Sequence, residues 1–348
     1  MSVRFEERTM ARDPDPLQRP DGMGRRAVLL GAAAIALGAA GCSGTGAHKS
    51  TATHRPTAAV STPGPAPSGT RLPRTTAWRP SPADVDPEVK LRAVRLIEAL
   101  GAWPRGGKGV ARARDRVAAL GLPPALADQA GPLLPEADEA ALQVIEAQYG
   151  GILADSGSVL VVCQQWTRGG GGPLTAGGTT VDVRLSRAQP RWDVTALHPA
   201  QPGAAAASLP DDARRVLADP RISLPPAGSA DVRSGAVHHS ALGAMLQLAG
   251  RYRMDISVVR SGHPLDVFGT NRPSDHPLGR AFDVWRIDGH AVVDPATSRG
   301  LIASFMRDAA AAGSYNVGGP VQLSGGATAN QFFSDDTHHD HVHVGFNT

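Results

Sequence analysis

Histidines are concentrated near the C-terminus of this chain, and they constrain its fold more than any other feature. Nine of the 12 histidines lie between His238 and His343. The important ones belong to two short motifs, S-D-H-P-L-G-R-A-F-D at 274–283 and D-H-V-H at 340–343. Imidazole and carboxylate groups are common zinc ligands. A fold that brings the two motifs together would therefore form a metal site.

The second motif is predicted to continue into a β-strand. The sequence V-H-V-G-F over residues 342–346 is typical of a strand, in which residues i and i+2 point to the same face. His341 and His343 are therefore expected on one face, while Val342 faces the other way. With the carboxylate of Asp340 beside them, the two imidazoles make a plausible metal site.

The first motif supplies one more imidazole and one more carboxylate, seven residues apart. Gly279 would let the chain turn between His276 and Asp283, and the alternating A-F-D-V-W at 281–285 predicts a strand. Zinc catalysis needs about three protein ligands and an open fourth position. His276, Asp283 and His343 would meet that number.

At these residues the sequence resembles the zinc D-alanyl-D-alanine peptidase superfamily. The shared pattern is Ser-x-His-x-x-Gly-x-Ala-x-Asp followed by a late Asp-x-x-His. The superfamily includes D,D-carboxypeptidases, vancomycin-resistance D,D-dipeptidases and phage L-Ala-D-Glu endolysins, and the Hedgehog signalling domain shares its fold. The resemblance covers residues 208–348. It implies an α+β domain in which a small antiparallel sheet carries the zinc site.

The resemblance also implies roles for individual residues. His276, Asp283 and His343 would be the Zn²⁺ ligands, and Asp340 would be the general base in metal-assisted hydrolysis of an amide bond. His341 competes for a catalytic role, since it is expected on the same face as His343 and could orient substrate or hold the oxyanion.

Two further roles are binding of the substrate and support of a metal ligand. Many family members have an arginine shortly after a Ser-Gly pair, where it contacts the substrate carboxylate, but here Ser261-Gly262 is followed by His263-Pro264. Arg260 or Arg272 is the candidate replacement, although neither matches by position. Ser274 is a further candidate for binding substrate, and it could also support His276 or its loop. His263 alone is typical of a hydrogen-bonded structural histidine.

The N-terminal segment 1–42 is predicted to be an export signal. Arg25-Arg26 precedes an apolar run of about 14 residues, too short to span a bilayer, which needs about 20. The paired arginines resemble a twin-arginine signal, and A-A-G-C ending at Cys42 resembles a lipoprotein processing site, although Ala39 stands where leucine is commoner. The prediction is a lipid attached to Cys42. The alternative is a simple cleavable signal with an incidental cysteine.

Segment 43–83 is rich in Thr, Ser, Pro, Ala and Gly and is predicted to be a flexible linker. Residues 1–83 carry 11 basic and 5 acidic side chains, whereas 84–207 carry 12 and 13, and 208–348 carry 12 and 14. The positive excess thus lies in the signal and linker, and the rest of the chain shows no basic stripe of the kind that binds nucleic acid.

Region 84–207 is predicted to be a structural domain of helices followed by a meander. Apolar residues at roughly helical spacing indicate helices from about 84 to 150, including the run from Ala141 to Tyr149. Three strands are predicted at 158–167, 179–185 and 191–197. Cys163 lies in the first of them and is expected in the core. No constellation of catalytic residue types stands out in this region.

The resemblance, together with the predicted export signal, implies an exported metallopeptidase of the cell wall. The expected substrates are peptidoglycan stem peptides, and the expected location is the cell envelope, at the outer face of the cytoplasmic membrane through a lipid on Cys42. A monomer is expected. Two alternatives remain. One is a non-catalytic module with structural zinc that binds peptidoglycan or a partner. The other is a surface lipoprotein that binds several metal ions through its histidines.

Overall fold

The structure is a computed structural model that describes residues 71–348. The predicted export signal, Cys42 and the linker up to residue 70 lie outside the described residues. No helix within 71–348 is long and apolar enough to cross a membrane. The described part is a mixed α/β structure, compatible with the predicted α+β class.

The first part of the described chain is a helical layer on a four-stranded meander. Its helices are α1 (Pro87–Gly101), α2 (Val110–Ala119) and the 3-10 turns Pro124–Gln129 and Gly131–Leu133. Its strands, all antiparallel and in chain order, are β1 (Glu139–Ile152), β2 (Ser156–Arg168), β3 (Thr175–Ser186) and β4 (Asp193–Pro199).

Burial of apolar side chains holds the helical layer on the sheet. The apolar face of α1 packs on the sheet with residues such as Val94 and Ile97, which are completely buried. Cys163 lies in the same core, as expected, and burial raises the pKa of its thiol to about 12. It is therefore an inert core residue at neutral pH.

The helix predicted over Ala141–Tyr149 is wrong, because these residues belong to strand β1. β1 is buried on both faces, so apolar residues do not alternate cleanly along it. Its pairing with β2 also shifts register twice, between Val144 and Glu146 and between Tyr149 and Gly151. Each shift breaks the two-residue period and produces spacings that imitate a helix.

The last part of the predicted linker contacts the folded part. The main chain of Thr76 exchanges two hydrogen bonds with the side-chain amide of Gln143, at 2.8 and 2.9 Å. The main-chain N–H of Trp78 donates to Glu98 at 3.1 Å. The ring of Trp78 packs on the hydrophobic core between α1 and the meander. Ordered contacts therefore begin before residue 84.

The second part of the chain is a seven-stranded sheet with four helices. The helices are α3 (Asp211–Ala218), α4 (Pro226–Arg233), α5 (His239–Ala249) and α6 (Arg299–Ala311). The strands are β5 (Ile222–Ser223), β6 (Met254–Val258), β7 (Ala281–Ile287), β8 (His290–Ala291), β9 (Asn316–Gly318), β10 (Phe332–Phe333) and β11 (Val342–Gly345).

The sheet order places the two histidine motifs side by side. The strands follow the order β10-β9-β11-β7-β6-β5, and β8 pairs with the last two residues of β7. The pairs β5–β6 and β9–β10 are parallel and the others antiparallel, so the sheet is larger and more mixed than the small antiparallel sheet that was expected. The strands β7 and β11, at its centre, are the two that the motifs predicted.

Candidate metal centre

Strand pairing brings the proposed metal ligands together. Asp283 on β7 and His343 on β11 are directly opposite partners in the antiparallel ladder. Opposite residues of such a pair project on the same side of a sheet. His276 precedes β7 in a turn at Gly279, whose φ is +70° and where a Cβ would come within 2.1 Å of the Ala236 carbonyl oxygen. Only glycine fits there, as the sequence suggested.

The three ligand atoms converge on one point. His276 Nε2 lies 3.1 Å from Asp283 Oδ1, His343 Nδ1 lies 3.0 Å from the same oxygen, and the two nitrogens are 3.2 Å apart. Ligand atoms of a tetrahedral zinc are roughly 3.3–3.6 Å apart, since each lies about 2.0–2.2 Å from the ion. Two imidazoles and one carboxylate therefore fit a zinc ion after small outward movements.

Neighbouring groups fix the orientation of two ligands. The Nδ1–H of His276 donates to the carbonyl of Val259 at 2.8 Å, which leaves Nε2 for the cluster. The other oxygen of Asp283, Oδ2, accepts from Gln148 Nε2 at 2.6 Å. Both ligands are completely buried and thus held in one conformation.

Electrostatics keep Asp283 and His343 in forms that can bind a cation, whereas His276 would have to lose a proton to do so. Burial opposes ionisation of Asp283, but the imidazoles of His276 and His341 outweigh it and hold the pKa of Asp283 well below its usual range. Burial lowers the pKa of His343 to about 4, so its imidazole is neutral at pH 7. For His276, burial opposes protonation, but the nearby Asp283 raises its pKa. A buried carboxylate among imidazoles offers ligand atoms that could hold a metal ion.

His341 and Asp340 form a hydrogen-bonded pair next to the cluster. The Nδ1–H of His341 donates to Asp340 Oδ1 at 2.6 Å, and the opposite nitrogen, Nε2, lies 3.8 Å from Asp283 Oδ1. His341 therefore faces the ligands, while Asp340 lies behind it. Burial opposes protonation of His341, but the carboxylates of Asp283 and Asp340 outweigh it and raise its pKa.

The other oxygen of Asp340 is bound by the first part of the chain. Asp340 Oδ2 lies 2.5 Å from Lys90 Nζ and accepts the main-chain N–H of Tyr149 at 3.2 Å. Burial opposes its ionisation, but Lys90 and His341 outweigh it and lower the pKa of Asp340 strongly. Asp340 is thus an ionised, fully bonded carboxylate.

A second group of possible metal ligands surrounds Lys90. Asp84, His339 and Asp340 offer ligand atoms within 4.8 Å of one another. The ammonium of Lys90, however, contacts both Asp84 and Asp340. This group, defined here as the Lys90 cluster, therefore already contains a cation that belongs to the chain.

The three proposed ligands His276, Asp283 and His343, called here the ligand cluster, open onto a cavity of about 800 Å³. His341 and His343 line it, together with Arg272 and Ser274. The hydroxyl of Ser274 lies 3.3 Å from His263 Nδ1 and accepts the main-chain N–H of His276 at 3.4 Å.

The two candidate arginines lie in different places. Arg272 shares the cavity of the ligands, whereas Arg260 lines a neighbouring cavity of about 740 Å³. The guanidinium of Arg260 is 3.8 Å from the buried carboxylate of Asp231. His263 borders both cavities.

Sequence reasoning missed three residues at this site. His263 stacks on His276, with ring centroids 4.1 Å apart, and it also offers a ligand atom to the group formed with His276 and Asp283. For Lys90 a signal existed, because it occupies the apolar face of α1 together with residues three, four and seven positions later. For Gln148 the sequence carried no such signal.

Comparison with known proteins adds nothing to this geometry: no protein-family model, no curated protein and no solved structure matches the chain.

Proposed function

We propose that this protein is a zinc-dependent peptidase that hydrolyses amide bonds in the stem peptides of peptidoglycan. The observation that carries the proposal is the convergence of His276 Nε2, Asp283 Oδ1 and His343 Nδ1 within 3.2 Å beside an open cavity. Its support from sequence is the resemblance to the zinc D-alanyl-D-alanine peptidase superfamily and to its Hedgehog-like fold.

His276, Asp283 and His343 would hold the ion. A bound zinc would polarise the scissile carbonyl, lower the pKa of a water molecule and offset the charge of Asp283 that raises the pKa of His341. The burial of all three ligands excludes competing water from their lone pairs, which strengthens their interaction with a cation.

His341 is the best-placed group for proton transfer. Its Nδ1–H is bound to Asp340, so Nε2 is the atom that can take a proton from the attacking water and return it to the leaving amine. Asp340 then acts through His341 as a positioning residue, in place of the direct general base that the resemblance implies. Lys90 keeps Asp340 ionised for that role.

Arg272 is the candidate for binding a substrate carboxylate. It lines the ligand cavity, and its charge there would attract the anionic end of a peptide. Arg260 lines the neighbouring cavity and would contact a more distant part of the substrate. The proposal includes export to the cell envelope and anchoring at the outer face of the cytoplasmic membrane through a lipid on Cys42.

A second candidate is a non-catalytic zinc-containing module that binds peptidoglycan or a partner protein. The observation that favours it is the ion pair between Lys90 and Asp340, because a general base in that position would ordinarily be free to accept a proton. In this reading the zinc would stabilise the fold of a peptide-binding cavity.

The test is incubation of the purified chain with muropeptides of defined sequence, followed by mass spectrometry of the products. The peptidase should contain close to one zinc per chain and should release a defined peptide or amino acid, and a chelator should stop the reaction. A chain that carries zinc but cleaves no muropeptide would support the non-catalytic module. Full activity after removal of the metal would contradict both.

A further inference from the structure

We propose that Gln148 is a positioning residue of the metal centre and that strand β1, which carries it, is an integral part of that centre. This assigns a role to region 84–207, for which the sequence suggested none. The inference rests on the metal centre of the proposed function, but it does not depend on hydrolysis.

Gln148 is held at both ends of its side-chain amide. The side chain is completely buried, its Nε2 donates to Asp283 Oδ2 at 2.6 Å, and its Oε1 accepts a hydrogen bond from the hydroxyl of Ser257. Ser257 lies on β6, next to β7 in the sheet, and its hydroxyl is also 3.3 Å from the main-chain carbonyl of Asp283. Because an ionised carboxylate only accepts hydrogen bonds, the amide nitrogen of Gln148 must face Asp283, and the hydroxyl of Ser257 then donates to Oε1.

This contact decides which oxygen of Asp283 is available to a metal. Oδ2 is occupied by Gln148, so Oδ1 is the oxygen that meets His276 and His343. Without Gln148, Oδ2 would be a buried acceptor without this donor, and the carboxylate could rotate away from the ligand geometry. Partners that orient a metal ligand typically contribute about 10–100-fold to metal affinity.

The neighbouring residue of β1 makes a parallel contact. The side chain of Gln148 binds Asp283, and the main-chain N–H of Tyr149 binds Asp340. Two consecutive residues of one strand therefore reach the two carboxylates of the histidine motifs. The bulge between Val144 and Glu146 precedes this pair. A bulge changes the direction of the side chains that follow it.

The test uses the full chain and measures zinc affinity by competition with a chelator. Gln148→Met keeps the size and burial of the side chain but removes the donor. We expect its zinc Kd to rise about 10–100-fold and the absorption spectrum of the cobalt-substituted protein to shift. Gln143→Met is the matched control. Gln143 lies on the same strand but bonds to Thr76, so this variant should retain the wild-type affinity.

A second variant guards against general loss of structure. Ser257→Ala removes the anchor of the amide and should weaken zinc binding less than Gln148→Met. The double variant should bind zinc no more weakly than Gln148→Met alone, because the shorter of the two contacts of the Ser257 hydroxyl is the one to Gln148.

Three results would overturn the inference. They are an unchanged Kd and spectrum in folded Gln148→Met, additive effects in the double variant, and equal losses in the Gln143 control. A chain that binds zinc with the expected Gln148 dependence but cleaves no muropeptide would overturn the peptidase alone. Absence of zinc binding in the unsubstituted chain would overturn both proposals.

Discussion

Two buried carboxylates lie close together in this protein, and their surroundings differ. Asp283 is surrounded by the imidazoles of the ligand cluster, whereas Asp340 in the Lys90 cluster is paired with an ammonium. Both carboxylates have lowered pKa values. The difference is that the Lys90 cluster contains its own cation, while the groups around Asp283 are imidazoles of the kind that can bind a metal. Of the two groups that could hold a metal by spacing, the electrostatics favour the one around Asp283.

Removal of a proposed metal ligand beside Asp283 should have the largest effect. His343→Ala should abolish hydrolysis and weaken zinc binding by more than the roughly 10–100-fold typical of residues that merely orient a ligand. Zinc content after dialysis and chelator competition would measure this. His290→Ala is the control, since His290 is exposed on β8. Normal zinc binding by His343→Ala would move the metal to another group, with His263 as the first candidate ligand.

Removal of the proton carrier should affect turnover and leave the metal in place. His341→Gln should lower the hydrolysis rate about 10²–10⁴-fold, the usual contribution of a general base, with close to one zinc per chain retained. His338→Gln is the control, because His338 lines the same cavity but bonds to Asp335. Unchanged turnover in His341→Gln would return the base role to Asp340.

Removal of the ammonium group of Lys90 should lower the stability of the folded protein. Lys90→Met leaves Asp84 and Asp340 buried without their partner, and loss of one member of a buried ion pair typically costs about 3–5 kcal/mol. Denaturant unfolding of the metal-free protein would measure it. Lys108→Met is the control, because Lys108 forms an exposed pair with Asp138 and should cost less than about 1 kcal/mol. Equal effects of the two variants would contradict the comparison.

The smallest expected effect concerns pH. Burial raises the pKa of Glu146, a third carboxyl beside Lys90, to about 8, against a model-peptide value of 4.5. The folded state then binds the proton more tightly than the unfolded chain. The stabilisation is complete below pH 4.5 and is lost as the pH rises to about 8.

Glu146→Gln should remove this dependence. The free energy of unfolding should fall with pH less steeply than in the wild type, by up to about 1.4 kcal/mol per pH unit in that window. Urea unfolding at several pH values would measure the slope. Glu136→Gln is the control, since Glu136 is exposed. Identical slopes in Glu146→Gln and wild type would show that Glu146 is ionised in the folded protein.

Local sequence patterns predicted several elements correctly. The strand at 281–285, the strand at 342–346 and the three later strands of the meander all formed, because short runs of strand-forming residues are a local signal. The pattern failed at β1, where two register shifts removed the two-residue period. A strand whose period is interrupted by such shifts cannot be recognised from residue spacing alone.

The motifs also indicated the ligand cluster, but its surroundings depend on distant contacts. Gln148 meets Asp283 across 135 residues of sequence, and Lys90 meets Asp340 across 250. The contact of Gln148 leaves no periodic signal in the chain. The buried lysine on the apolar face of α1 was the one visible trace.

The sequence by itself determined which side chains could hold a metal and which strands would carry them, since residue type and alternation are encoded locally. The tertiary structure alone decided how those side chains are used. It placed His341 toward the ligands and Asp340 behind it, and it brought Gln148 from the first sheet and Lys90 from α1 onto the two carboxylates. The physical reason is that the charge state and orientation of a buried carboxylate depend on the donors and cations around it, and here these come from remote segments of the chain.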